Sequence, residues 1–170
     1  EGVNISVIAT SCSIDKLRKH FSAYEKEPIF SAIQCDVTQE IALSQKVDFI
    51  ISLASNTHPV LYATEPINTI ETIVAGTKNI LQFAVTCGAK RVINASSVEI
   101  YGENRGDVDR FTEDYCGYIN CNTLRAGYTE GKRLAESLCQ AYVEEKNLDV
   151  ISVRLGRVYG STLLATDTKS

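Results

Sequence analysis

A tyrosine and a lysine four residues apart, in Tyr128-Thr-Glu-Gly-Lys132, are the pair in this sequence best suited to chemistry. On a helix that spacing puts both on one face, so the ammonium sits near the phenol and favours its ionised form. A phenol with an ordinary pKa of about 10 needs such a neighbour to act as a base near pH 7. About thirty residues upstream, the strand-like run Arg91-Val-Ile-Asn-Ala95 ends in Ser96 and Ser97, whose hydroxyls are placed to hydrogen-bond the group being deprotonated. Spacing alone does not separate this reading from a solvated lysine beside a half-buried tyrosine on an amphipathic helix. The elements that carry the pair, and the motifs around it, do.

A chain of 170 residues with 44% hydrophobic side chains is long enough for one domain with a substantial core. The net charge of -4, without a basic cluster, argues against a nucleic-acid partner or an anionic membrane surface. The longest apolar run, Val47 to Ala54, is broken by Asp48 and Ser52 and falls far short of the roughly 20 residues a membrane span needs. Six cysteines fall in different predicted elements, with no compact framework, and read as reduced thiols of a cytoplasmic protein. No metal site is expected, and Cys116 with Cys121 is a weak candidate for a pair.

Hydrophobic periodicity predicts alternating strands and helices, the pattern of an α/β doubly wound parallel sheet. Val3 to Ala9 reads as a strand, and Ile14 to Phe21 as a helix with Ser13 as its cap. Ile29 to Gln34 is the next strand. Asp36 follows it, placed either at a ligand-binding strand end or as the cap of a helix over Gln39 to Ser44, two compatible readings. Val47 to Leu53 reads as a strand buried on both faces, ending at the small residues Ala54 and Ser55. His58 falls in a loop and is given no role. Tyr62 lies on the same loop, where an aromatic plug over the sheet is one reading.

Asn68 to Cys87 is a long helix stopped by Gly88. Residues 102 to 122 form a long loop, of the kind that usually serves as a lid or binding loop. Ala126 to Lys146 is the helix bearing Tyr128 and Lys132, packed through Leu134, Ala135, Leu138 and Tyr142. Val150 to Arg154 is the last clear strand.

Ser97-Val-Glu-Ile-Tyr-Gly102 and Arg125-Ala-Gly-Tyr-Thr-Glu-Gly-Lys-Arg-Leu-Ala-Glu136 resemble the extended short-chain dehydrogenase/reductase family, the NAD-dependent epimerases and dehydratases of nucleotide sugars. They look most like its UDP-glucuronate decarboxylase branch, and the resemblance runs from about Val3 to Gly160. It implies a Rossmann-like NAD-binding domain over 1–160 and a tail, 161–170, leading to a substrate lobe. It assigns Tyr128 as base, Lys132 as holder of the nicotinamide ribose, Ser97 as hydrogen-bond partner of the reacting oxygen, and Glu99 as the acid assisting decarboxylation. Asp36 and Val37 would meet the adenine, and Leu53, Ala54 and Ser55 would line the cofactor. Tyr62 corresponds to a tyrosine of the substrate loop. Arg157 stands where an asparagine usually sits near the substrate diphosphate, so it either retunes that site or caps the strand. Three further departures are Ile73 in place of an asparagine near the cofactor, Val98 in place of a second serine, and Ser161 in place of a proline.

The family's first strand and its Gly-x-x-Gly-x-x-Gly turn are not found. Val3 to Ala9 matches the second strand, and Thr10-Ser11-Cys12-Ser13 follows without a glycine. A pyrophosphate cradle relies on glycines that let backbone amides approach at a helix start, so the chain is expected to be a truncated piece that binds NAD poorly and is inactive as given. In the strand order 3-2-1-4-5-6 the missing strand is central. Its loss predicts either direct pairing of the Val3–Ala9 and Val47–Leu53 strands or repair by strand exchange in a homo-oligomer. Thr10 and Ser11 are neutral at the place where a ribose 2' group is read, which leaves NADP open beside NAD. A UDP-sugar 4-epimerase and a non-catalytic binding module of the same fold are the alternatives to the decarboxylase.

Overall fold

The computed structural model describes residues 5–56 and 59–158. The chain runs β1 (Val7–Ser11), α1 (Ile14–His20), a 3₁₀ turn (Ser22–Tyr24), β2 (Phe30–Gln34), β3 (Phe49–Ser52), α2 (Pro59–Thr64) and α3 (Pro66–Cys87). It continues through β4 (Arg91–Ser97), a second 3₁₀ turn (Val98–Tyr101), α4 (Ala126–Lys146) and β5 (Val150–Leu155). All strand pairing is parallel, as alternating strands and helices require.

The strands fall into two sheets, β1-β2 and β3-β4-β5. Val7 pairs with Phe30 and Ser11 with Gln34 in the first. Phe49 pairs with Arg91, and Ser97 with Leu155, in the second. The expected direct pairing of β1 with β3 does not occur within the chain, and no described strand lies between them. Each keeps an edge whose amides and carbonyls find no ladder partner in the neighbouring sheet.

Helices α3 and α4 pack on each other and on one face of the larger sheet. Their apolar residues close the core of Ile80, Leu81, Ala84, Val92, Cys139 and Leu148, with a second cluster of Tyr62, Ile73, Tyr128 and Ala135. The opposite sheet face is bare, which corrects the expectation that β3 is buried on both sides: Phe49 is 66% and Ile51 64% exposed. Ile50 and Ser52, with their β4 neighbours Val92 and Asn94, face the helices; Ile50 is half-buried there and the other three are buried. Leu134 is likewise exposed on α4, because the helix turns Ala135 and Cys139 rather than Leu134 toward α3 and the sheet.

Local chemistry explains most element ends. The Ser13 hydroxyl accepts the Lys16 amide at the start of α1. Gly88 ends α3 in the left-handed region, as its residue type allows. The predicted helix over Gln39 to Ser44 does not form. Asp36 Oδ1 accepts the amide and hydroxyl of Thr38 at 2.9 and 2.8 Å, fixing a turn. Asn79 Nδ2 of α3 then donates to the carbonyls of Val37 and Gln39, taking up groups a helix would need. The segment read as a loop around Tyr62 is helical, forming α2, and Val98–Tyr101 form a 3₁₀ turn capped by Ser97. No described helix is long and apolar enough to cross a membrane.

Candidate active site

Strand β4 carries Ser97 to its C-terminal end, and α4 lies across it with Tyr128 and Lys132 on the facing side. The lysine Nζ donates to the Ala95 carbonyl at 2.7 Å and lies 5.9 Å from the centre of the Tyr128 ring. The expected shared face is therefore present. Both side chains are only 6% exposed. Burial lowers the lysine pKa to about 8, partly offset by the carboxylate of Glu136 one turn on. The amine thus still carries its proton at neutral pH.

Ser97 is buried and caps the 3₁₀ turn, its Oγ accepting the Glu99 amide at 3.2 Å. That bond uses a lone pair and leaves the hydroxyl proton available to an oxygen in the site. The Ser96 Oγ is buried with no hydrogen-bond partner among the described residues. Of the two hydroxyls offered by the sequence, that of Ser97 caps the turn. Glu99 is held by Arg125, with Nη2 to Oε1 at 3.1 Å.

Tyr62 belongs to this cluster too. Its ring lies parallel to that of Tyr128, with centroids 4.2 Å apart and planes at 12°. Desolvation first, then the proximity of and hydrogen bond to Tyr128, push the Tyr62 phenol well above the ordinary range. Ile73, 1% exposed, supports the same rings from α3. At this position the sequence departs from its resembled family, and the side chain does packing work.

The other predicted cofactor residues lie at the strand ends. Asp36 is exposed beyond β2, and its bonds to Thr38, the backbone one foremost, hold its carboxyl below the usual range. Val37 is half-buried and packs against Gly76, where an added Cβ would sit 2.8 Å from Val37 Cγ2. Leu53 and Ala54 are exposed and Ser55 half-buried just past β3. Arg157 is exposed past β5. The structure thus gathers Tyr62, Ser97, Glu99, Tyr128 and Lys132, while Asp36 and Val37 belong to the smaller sheet. His58 and Ser161 lie outside the described residues. All six thiols are free.

Sequence reasoning missed two arginines that hold the site's frame. Arg133 donates through Nε to the Ile100 carbonyl and through Nη2 to that of Gly117, each at 2.7 Å. Arg154 pairs with Glu136 at 2.9 Å, donates to the Glu113 carbonyl and lies 5.0 Å from the Tyr101 ring centre. Together they tie the long loop to α4 and β5. The motif Lys-Arg-x-x-Glu and an arginine inside an otherwise apolar strand were the available signals.

The fit to a nicotinamide cofactor is divided. Lys132, with donors to spare at the end of β4, and the open strand ends at Asp36 and Leu53 to Ser55 suit its two ends. No turn among the described residues offers a glycine cradle for its diphosphate; β1 leads into α1 through Cys12 and Ser13, whose amide already donates to Ser11 Oγ.

The parallel strands with helices between them make a Rossmann-like α/β fold, and it carries a buried Tyr/Lys pair beside the strand that ends in Ser97. The chain belongs to the NAD dependent epimerase/dehydratase family, whose model matches residues 4–169. It is 36% identical over 149 residues to UDP-glucuronic acid decarboxylase 1 of Danio rerio, covering 88% of this chain and 34% of that protein. A solved dTDP-glucose 4,6-dehydratase from Streptomyces venezuelae with NAD bound superposes with a TM-score of 0.77 at 22% identity, covering 96% of this chain and 50% of that one. A UDP-N-acetylglucosamine 4-epimerase from Methanobrevibacter ruminantium, in complex with UDP-N-acetylmuramic acid, gives 0.64 at 19% identity over 76% and 40% of the two chains. The chain therefore spans about a third of the decarboxylase and half or less of the solved structures.

Proposed function

We propose that this chain carries the acid–base centre of a nucleotide-sugar enzyme that oxidises C4 of a UDP-sugar, as a UDP-glucuronate decarboxylase does. The observation that supports it most is the buried Tyr128/Lys132 pair at the C-terminal end of β4, with a hydroxyl proton to spare on Ser97. Tyr128 takes the proton of the C4 hydroxyl. The Lys132 charge stabilises the resulting phenolate, and Ser97 donates to the reacting oxygen as it becomes a carbonyl. When bound, the nicotinamide supplies the hydride acceptance and return that such chemistry needs. Lys132 would hold its ribose, Asp36 and Val37 would meet its adenine, and Leu53, Ala54 and Ser55 would line it. Arg157 is positioned for a substrate diphosphate only if the segment after β5 folds back.

In the decarboxylase reading Glu99 assists loss of carbon dioxide from the 4-keto acid. Its ion pair with Arg125 favours a second reading, a UDP-sugar 4-epimerase, which uses Tyr128, Lys132 and Ser97 but no free carboxylate. Product analysis with millimolar NAD separates them. Carbon dioxide from UDP-glucuronate, abolished by Tyr128→Phe, supports decarboxylation. Inversion at C4 of UDP-glucose supports epimerisation. Turnover of neither sugar would leave the chain as a binding module of this fold.

A further inference from the structure

Two consecutive residues of α4 grip the segment that carries Ser97 from either side. Lys132 Nζ donates to the Ala95 carbonyl, before the serine, and Arg133 Nε to the Ile100 carbonyl, after it, both at 2.7 Å. Between those points Ser97 Oγ caps the 3₁₀ turn at the Glu99 amide. The last carbonyls of the turn are each engaged: that of Glu99 accepts the Gly102 amide, that of Tyr101 the Gly117 amide, and that of Ile100 the guanidinium. Arg133 Nη2 donates to the Gly117 carbonyl as well, so one planar edge closes a ring through Ile100, Tyr101 and Gly117. The ring is tight, since a Cβ at Gly117 would collide with the Tyr101 carbonyl. Among the described residues no carboxylate forms an ion pair with Arg133, so its charge is committed to backbone carbonyls. Other contacts hold the turn by its side chains: Ile100 is buried, Tyr101 stacks on Phe111, and Glu99 pairs with Arg125. Arg133 holds the backbone, and the backbone aims the Ser97 hydroxyl.

We propose that Arg133 is a positioning residue for the acid–base centre: its fork registers the Ser97 turn against the helix that carries Tyr128 and Lys132. This rests on the reading of Tyr128, Lys132 and Ser97 as that centre, yet the grip on the turn is measured without turnover, so the two ideas fail separately. A guanidinium presents its N–H groups in one rigid plane, whereas an ammonium is a point donor on a flexible stem. Lysine at position 133 is therefore expected to reach one carbonyl and release the other.

Hydrogen exchange read by NMR on the full chain tests it. In the unmodified protein the Arg133 Nε proton should exchange at least about tenfold more slowly than those of the exposed Arg18 and Arg110. Arg133→Ala and Arg133→Lys should each quicken the Glu99, Gly102 and Gly117 amides at least about tenfold, with the Val92 and Leu81 amides within about twofold of their original rates. Lys132 should still titrate near its value of about 8, because α4 stays docked on β4. Guanidinium at roughly 20 mM, too dilute to denature, should restore slow exchange in Arg133→Ala and leave Arg133→Lys unchanged. With UDP-glucuronate and millimolar NAD, both variants should lose at least about tenfold in kcat while KM for NAD moves less than about threefold. Unchanged Glu99 and Gly102 exchange in a folded variant overturns the role. So does quickening shared by Val92 and Leu81, which marks lost stability alone, or an Arg133 Nε proton as labile as the exposed ones. An unmodified chain that turns over no sugar refutes the reading of the centre, and the exchange rates then judge the grip of Arg133 by themselves.

Discussion

Replacing Lys132 with methionine keeps a stem of similar length and removes the buried charge, which makes the pH dependence of stability a direct probe of the site. In the folded chain burial holds the amine at a pKa of about 8 against an ordinary 10.5. Below pH 8 both folded and unfolded states hold the proton, and the full cost of burying the charge weighs against folding. Between 8 and 10.5 the folded state has released it while the unfolded chain still binds it. Unfolding then takes up a proton, so stability rises with pH across that window. The whole window is worth roughly 3 kcal/mol at 1.36 kcal/mol per unit. Between pH 7.5 and 9.5 the wild type should gain roughly 2 kcal/mol on Lys132→Met, or about 1 M in urea midpoint at a typical slope. Tyr62, Tyr115, Cys35 and Cys139 are acids held above their ordinary values and act in the opposite direction at high pH. They are present in both proteins, so the difference cancels them. The assay is urea unfolding by circular dichroism at half-unit pH steps. Parallel curves, with a difference constant to within about 0.5 kcal/mol, would mean the amine is solvated and the proposed charge beside Tyr128 is screened.

Arg154→Met should cost roughly 2–4 kcal/mol, because both partners of its pair with Glu136 are largely buried and Glu136 is left uncompensated. Hydrogen exchange of residues 102–125 should quicken at the same time, as the Glu113 carbonyl loses its donor. Calorimetry with NAD should find binding weaker than micromolar, since no described turn cradles a diphosphate. Micromolar affinity would show that the strand-end residues suffice.

Much of this protein was legible in the linear chain wherever local rules decide. The helix over Ala126 to Lys146 has its predicted bounds, and the four-residue spacing put Lys132 beside Tyr128, because helical periodicity needs no partner to set it. Ser13 and Gly88 marked helix ends for the same reason. Where a segment's hydrogen bonds were claimed by distant residues, local reading failed. Gln39 to Ser44 lost its helix to Asn79, forty residues away, and Asp36 became a turn. Burial was misjudged on β3, since apolarity in sequence says what a strand prefers to cover, and only its neighbours decide whether cover exists.

The chain's own residues thus determined the pairing of Tyr128 with Lys132, the family and the parallel α/β pattern. Tertiary structure alone decided that β1 and β3 stay apart, that Ser97 caps a 3₁₀ turn while the Ser96 hydroxyl is left without a partner among the described residues, and that Tyr62 lies on the Tyr128 ring. Each of those depends on which groups from remote parts of the chain meet across space, a quantity that spacing along the backbone does not encode.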